Sequence, residues 1–281
     1  MINMKKTLKA GLSLFRIRVA EGLQYRIAAF SGATVSIFWS IIEIVVLIVF
    51  YTYGNKASGN INGLTLVQGI SYIWLAQFMV GFMASGVDGD LMKKITSGDV
   101  GVELCRPLDL YWHWFARTAA GKVAGVSIRG SLTLICGAVL SLIGFGSIGL
   151  GLPHTLINFI LFLISIFNAL LFSTAYSMFI TAIRLGITWG DGPIHLISIG
   201  GMILSGSYLP LQLWPDFMQS FLRMQPFAGY LDTPARLYVG SVPIETGLIS
   251  MAFQIFWIAA FIIFGRTIMK RRIKSVVVQG G

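Results

Sequence analysis

Residues 28–51 read AAFSGATVSIFWSIIEIVVLIVFY, and Glu43 is the one Asp, Glu, Lys, Arg or His among them. A helix of about 20 apolar residues crosses the hydrocarbon core of a bilayer. The stretch therefore predicts a transmembrane helix, with Glu43 about two-thirds of the way along it. Five further long apolar stretches follow, at about 64–87, 122–146, 155–183, 193–210 and 244–265. Directly before the first lie Lys5, Lys6, Lys9, Arg16, Arg18 and Arg26.

The other basic residues repeat that placement in alternate hydrophilic pieces. Lys93, Lys94, Arg106, Arg117, Lys122 and Arg129 group between the second and third stretches, or at the start of the third. Arg184 follows the fourth, and Arg266, Lys270, Arg271, Arg272 and Lys274 follow the sixth. Only Lys56, Arg223 and Arg236, of 21 Lys and Arg, fall in the intervening pieces. Basic loops stay cytoplasmic. The pattern predicts an all-α integral membrane fold with six transmembrane helices and both the N- and C-termini cytoplasmic. The net charge of +10 then serves membrane lipid head groups, and no nucleic acid is expected as a partner.

Composition supports this. The chain is 56% hydrophobic and 11% charged, against about 25% charged in a soluble domain. Six spans leave no material for a second globular unit, so residues 1–281 are expected to form a single transmembrane domain. About 27 residues precede the first stretch, which is too long for a signal h-region, so a permanent anchor is expected. Cys105 and Cys136 lie in a basic piece and inside an apolar stretch, and are expected to be reduced and unpaired.

Three hydrophilic segments carry pattern of their own. In residues 1–27, Met4, Leu8, Leu12, Phe15, Val19 and Leu23 recur three or four apart. That spacing predicts an amphipathic helix lying in the membrane interface. Segment 88–120 contains Asp88, Asp90, the turn Ser97-Gly98-Asp99 and the aromatic cluster Tyr111, Trp112, Trp114 and Phe115. It predicts short helices with an apolar face. Segment 206–243 is broken by Pro210, Pro215, Pro226, Pro234 and Pro243, yet is rich in Leu, Phe and Trp. It predicts short external helices that dip into the membrane, where irregular backbone must be surrounded by protein or line a cavity. Small residues four apart, at Gly81/Ser85, Gly121/Gly125 and Gly186/Gly190, allow close helix approach.

Signatures of chemistry are few. H-E-x-x-H and G-x-S-x-G do not occur, and His113, His154 and His195 stand apart from Cys or carboxylate partners. No metal site is expected. Asp88 and Asp90 read as a helix terminus kept in water, or as a Mg²⁺-holding pair. Asp191-Gly192-Pro193 reads as a helix start. No G-x-x-x-x-G-K-[ST] occurs, so the chain is not expected to be an enzyme or to bind a cofactor, and ATP-driven work needs a separate subunit. Glu43 inside a span is costly and should face the bundle or a cavity. Ser71 and Gln254 fall at comparable depth, and the three are candidates for a substrate path. A protonated, hydrogen-bonded structural Glu43 is the other reading.

Residues 95–108, ITSGDVGVELCRPL, with Gly98, Arg106 and Pro107, are similar to an L-x-R-P stretch of a bacterial branch of the type-2 ATP-binding-cassette (ABC) permeases. Residues 205–226, with Ser205-Gly206, Pro210, Trp214-Pro215 and Gln225-Pro226, resemble the break before the last span in that family. The resemblance covers nearly the whole chain. It implies a permease subunit of an ABC exporter in the bacterial inner (plasma) membrane, working by alternating access. It implies a cytoplasmic ABC ATPase partner that carries ATP and Mg²⁺, and a second permease, identical or homologous. It implies that the 88–120 loop docks on the ATPase, with Gly98, Leu104, Arg106, Pro107 and Leu108 as coupling residues, and that 206–243 is a re-entrant external segment. A stand-alone secondary transporter is the alternative, and a membrane-embedded lipid enzyme a third reading.

Overall fold

The computed structural model describes residues 4–24, 26–53, 60–61, 63–83, 88–105, 108–145, 147–185 and 192–273. They are overwhelmingly helical. The first helices are α1 (Met4–Gln24), α2 (Arg26–Tyr53) and α3 (Leu66–Met79), the last continued by a 3-10 turn, Val80–Met83. The short α4 (Gly89–Ser97) and α5 (Val100–Leu104) lead into two long helices, α6 (Leu110–Leu142) and α7 (Leu156–Arg184). Then come α8 (Gly192–Leu204), α9 (Asp216–Met224), α10 (Asp232–Val239) and α11 (Ile244–Ile273). A two-residue antiparallel ladder, Asn60–Ile61 with Leu64–Thr65, turns the chain into α3.

Four helices are long and apolar enough to cross a membrane: Ala29–Tyr53 of α2, and α6, α7 and α11. The second and fifth expected spans are shorter, as Leu66–Phe82 and His195–Leu204. The fourteen residues of α3 rise about 21 Å, and its 3-10 turn adds about 8 Å. Helix α8 stops at Leu204 rather than near 210, because Gly206 turns the chain at a φ of +83°, a conformation that favours glycine.

The third span also differs from expectation. It begins at Leu110 instead of about 122, because the Asp109 carboxylate accepts from Trp112 N at 3.3 Å and caps the helix there. The aromatic cluster is thus the first turns of α6, not part of a loop. Lys122 and Arg129 lie inside the same helix: Lys122 is buried, and Arg129 Nε donates to Ser36 Oγ of α2 at 2.9 Å. They brace the bundle rather than mark a loop.

Helix α6 is the hub, packing against α1, α2, α3 and α7, while α7 and α11 pack along each other. Close approach of α3 and α6 is set by glycines. A Cβ added at Gly81 would sit 2.5 Å from Val126, one at Gly130 2.6 Å from Phe78, and one at Gly137 2.8 Å from Trp74. Of the small-residue pairs expected to do this, Gly81 does. Gly125 has nothing within 4 Å, and Ser85, Gly186 and Gly190 lie outside the described residues.

The segment 206–243 folds as a succession of short helices. A 3-10 turn at Leu211–Leu213, α9, a second 3-10 turn at Pro226–Gly229 and α10 succeed one another. Residues 228–239 are buried. Gln254 Nε2 donates to Gly229 O at 2.5 Å. Gln254 lies ten residues into the thirty of α11, about 15 Å along its axis, so the Gly229 turn sits level with a point a third of the way along a long helix.

Candidate functional site

At the end of the bundle that carries α1 and the start of α6, helices α4 and α5 are held from several sides. Asp88 caps α4, its carboxylate accepting from Asp90 N at 3.0 Å and Leu91 N at 3.2 Å. Gly98 ends α4 at a φ of +81°, the C-cap geometry for which glycine is suited. Asp90 accepts from Arg18 of α1 at 3.3 Å and from Arg117 of α6 at 2.5 Å. The acidic pair is therefore occupied by a cap and two guanidinium groups.

A second clamp centres on Glu103 of α5. Its buried carboxylate accepts from Lys94 of α4 and from the indole Nε1 of Trp114 in α6. Burial alone would raise the Glu103 pKa. The hydrogen bonds from Lys94 and Trp114, with the Lys94 charge, outweigh burial and hold the carboxyl below its ordinary range. Underneath, Leu91, Val100, Tyr111, Trp114, Met178, Leu185 and Met269 form one apolar cluster. Arg266 of α11 closes the same end by bonding Asp109 at 3.0 Å.

The outer side of this platform is apolar. Val102 is 65% exposed and Leu104 38% exposed, while their neighbours Val100 and Glu103 face inward. Of the residues singled out from sequence, Gly98 is the hinge between α4 and α5, Leu104 lies on the outward face, and Leu108 is half-buried beside Asp109. Arg106 and Pro107 lie outside the described residues. Sequence reading missed Glu103 and its contacts with Lys94 and Trp114. A Glu inside an apolar run, nine residues after a Lys, was the available signal.

Glu43, Ser71 and Gln254 each bond to partners of their own. Glu43 Oε1 accepts from Gln77 Nε2 of α3 at 3.0 Å, and its Oε2 is buried without a partner among the described residues. Ser71 donates to Val67 O and accepts from Gly151 N at 2.9 Å. Gln254 is buried against Ser165, Asn168 and Gly229. Each ties a different pair of elements. Depth counted along separate helices does not report which face a side chain occupies.

A third polar group joins the 3-10 turn after α3 to α6, α7 and Tyr230. The carbonyl oxygen of Phe82 accepts from Lys122 Nζ, Ser173 Oγ and Tyr230 OH. Farther from the platform, buried Asp232 accepts from Tyr72 OH at 3.0 Å and Leu211 N at 3.3 Å, and pairs with Arg236 at 3.3 Å.

The fold and this platform define a polytopic helical membrane protein with a compact helical appendage at one end. The sequence profile of the ABC-2 family transporter proteins matches residues 34–280, and the chain belongs to that family, whose members are permease subunits rather than enzymes. A search of curated protein sequences gave no match.

Proposed function

We propose that the chain is the membrane-spanning subunit of an ABC exporter that moves its cargo by alternating access, driven by a cytoplasmic ATPase. Two permeases, identical or homologous, complete the unit with two ATPases, which carry the ATP and Mg²⁺. The chain spans the inner (plasma) membrane six times with both termini cytoplasmic. The short α3 and α8 count as the second and fifth spans, α1 lies in the cytoplasmic interface, and residues 206–243 re-enter from the outside. The distribution of basic residues supports that orientation.

One observation carries the reading. Apolar Val102 and Leu104 point outward from a platform that is tied inward to α1, α6, α7 and α11. A motor transmits force only through a rigid element that it grips. An exposed apolar pair on a braced platform suits that grip, and the family resemblance adds Arg106 and Pro107 as proposed coupling residues. Glu43, on the α2–α3 face, remains the candidate polar group of the cargo path, with Ser71 and Gln254 holding its walls.

Co-purification tests the reading. The wild-type chain, expressed with its cognate ATPase, is expected to retain that subunit in detergent, and V102D/L104D is expected to lose it while folding normally. Retention by the double variant, or transport by the chain alone in vesicles without an ATPase, overturns it.

A further inference from the structure

Two side-chain bonds fix how deep α9 reaches beside α11. Before α9, Gln212 Nε2 donates to Ser241 O at 3.2 Å, just ahead of the first residue of α11. At the far end of α9, Trp257 Nε1 donates to Met224 O at 3.0 Å. Trp257 lies thirteen residues after Ile244 and nine before Arg266, about 20 Å and 14 Å along the helix axis. Arg266 belongs to the platform end, where it bonds Asp109. Across a hydrocarbon core about 30 Å thick, Trp257 and the last turn of α9 therefore lie near mid-membrane.

Arg223 sits in that last turn, next to Met224, and is exposed. Among the described residues it forms no ion pair, whereas Arg236, the other cation of segment 206–243, is paired with Asp232. Successive residues of a helix turn by about 100°, which divides α9 into three sides. Met218 and Leu222 pack inward on Leu211 and Ala228. Phe217, Phe221 and Met224 form an exposed apolar side. Asp216, Ser220 and Arg223 form an exposed polar side. A cation at this depth is too costly to face lipid and faces a water-filled cavity or a charge instead. The apolar side suits lipid tails, so the polar side is the one turned to water.

We propose that the polar side of α9 lines the cargo path, and that Arg223 receives the carboxylate or phosphate of an amphipathic anion whose apolar part lies against the adjoining Met224 side. A guanidinium can hold either group through two parallel hydrogen bonds. The cargo role rests on the transporter reading; the anion site itself does not.

The test uses the chain with C105S/C136S in lipid vesicles, carrying either S220C or F221C. The probes are an anionic sulfonatoethyl and a cationic trimethylammonium-ethyl methanethiosulfonate. S220C, one turn from Arg223, is expected to be labelled, and F221C, at the same depth on the apolar side, to be labelled far more slowly. A unit charge about 6 Å away changes each reagent's rate about threefold even in water. R223Q is therefore expected to lower the anionic-to-cationic rate ratio at S220C about tenfold, and R223K to preserve it. Dodecyl phosphate is expected to protect S220C when Arg223 is present, and dodecanol not to. Equal labelling of S220C and F221C, an unchanged ratio in R223Q, or equal protection by dodecyl phosphate in R223Q overturns the proposal. Protection by inorganic phosphate as strong as that by dodecyl phosphate overturns the amphipathic assignment. Stimulation of the assembled complex's ATPase by dodecyl phosphate is read separately. Arg223-dependent protection without stimulation keeps the anion site and removes its cargo role.

Discussion

Lys122 and Tyr230 meet on a single atom: the Lys122 ammonium and the Tyr230 hydroxyl each donate to the carbonyl oxygen of Phe82 at 2.9 Å. Ser173 Oγ is a third donor to it, at 2.5 Å. A carbonyl has two lone pairs, so the loss of one donor still leaves the acceptor satisfied. Y230F and S173A are each expected to lower stability by under about 1 kcal/mol. The double variant is expected to lose more than the sum, because the Lys122 ammonium is then the one remaining donor of the three. Thermal unfolding in detergent reads this, and strict additivity would count against a shared acceptor.

The α3–α6 seam separates glycines that are needed from glycines that are not. G137A places a methyl 2.8 Å from the Trp74 ring, and is expected to cost about 1–3 kcal/mol by overpacking. G125A meets nothing within 4 Å, and is expected to be neutral or stabilising by up to about 1 kcal/mol through helix propensity. The pair is compared by unfolding midpoint. Equal effects would contradict the packing described.

The long helices were legible because an apolar run of 24 residues such as 28–51 has one physical outcome in a bilayer. The amphipathic spacing from Met4 to Leu23 likewise gave α1. The start of α6 was not legible by hydropathy, because Asp109 sets it by a capping bond that composition does not register. The platform residue Glu103 was hidden for a related reason. Its importance comes from Lys94 and Trp114, which only folding brings to it. Depth counting placed Glu43, Ser71 and Gln254 at one level without fixing their azimuth, and the fold sends them to separate partners.

Glu103 also makes the platform sensitive to acid. Its carboxyl is held below the ordinary value of 4.5, so its contribution is fully present above about pH 4.5. It is lost as pH falls through the lowered folded value, when protonation removes an acceptor from Lys94 and Trp114. Wild-type unfolding midpoints are therefore expected to fall below about pH 4.5 more steeply than those of E103Q. At neutral pH E103Q is expected to be less stable and to show weaker coupling of ATP hydrolysis to transport, since α5 is no longer clamped to α6. Parallel pH profiles for the two proteins would remove Glu103 from this role.

Asp232 and Arg236 form an ion pair with side chains 2% and 8% exposed, and the pair supports the segment before the last long helix. Removing one member leaves the other charge buried without compensation, a cost of about 3–5 kcal/mol. D232A is expected to fall in this range, because it strands the Arg236 guanidinium and also frees Leu211 N. Tyr72 loses less, since its hydroxyl also reaches Gly206 O at 3.1 Å. Replacing both charges is a different matter. D232A/R236L removes the stranded cation, and is expected to recover a large part of the loss, as buried pairs exchanged for apolar groups often do. The recovery is read as a positive coupling energy in a double-mutant cycle. A double variant as unstable as the sum of its single changes would mean that the two side chains act independently, and that the segment is held by its backbone bonds and apolar burial instead.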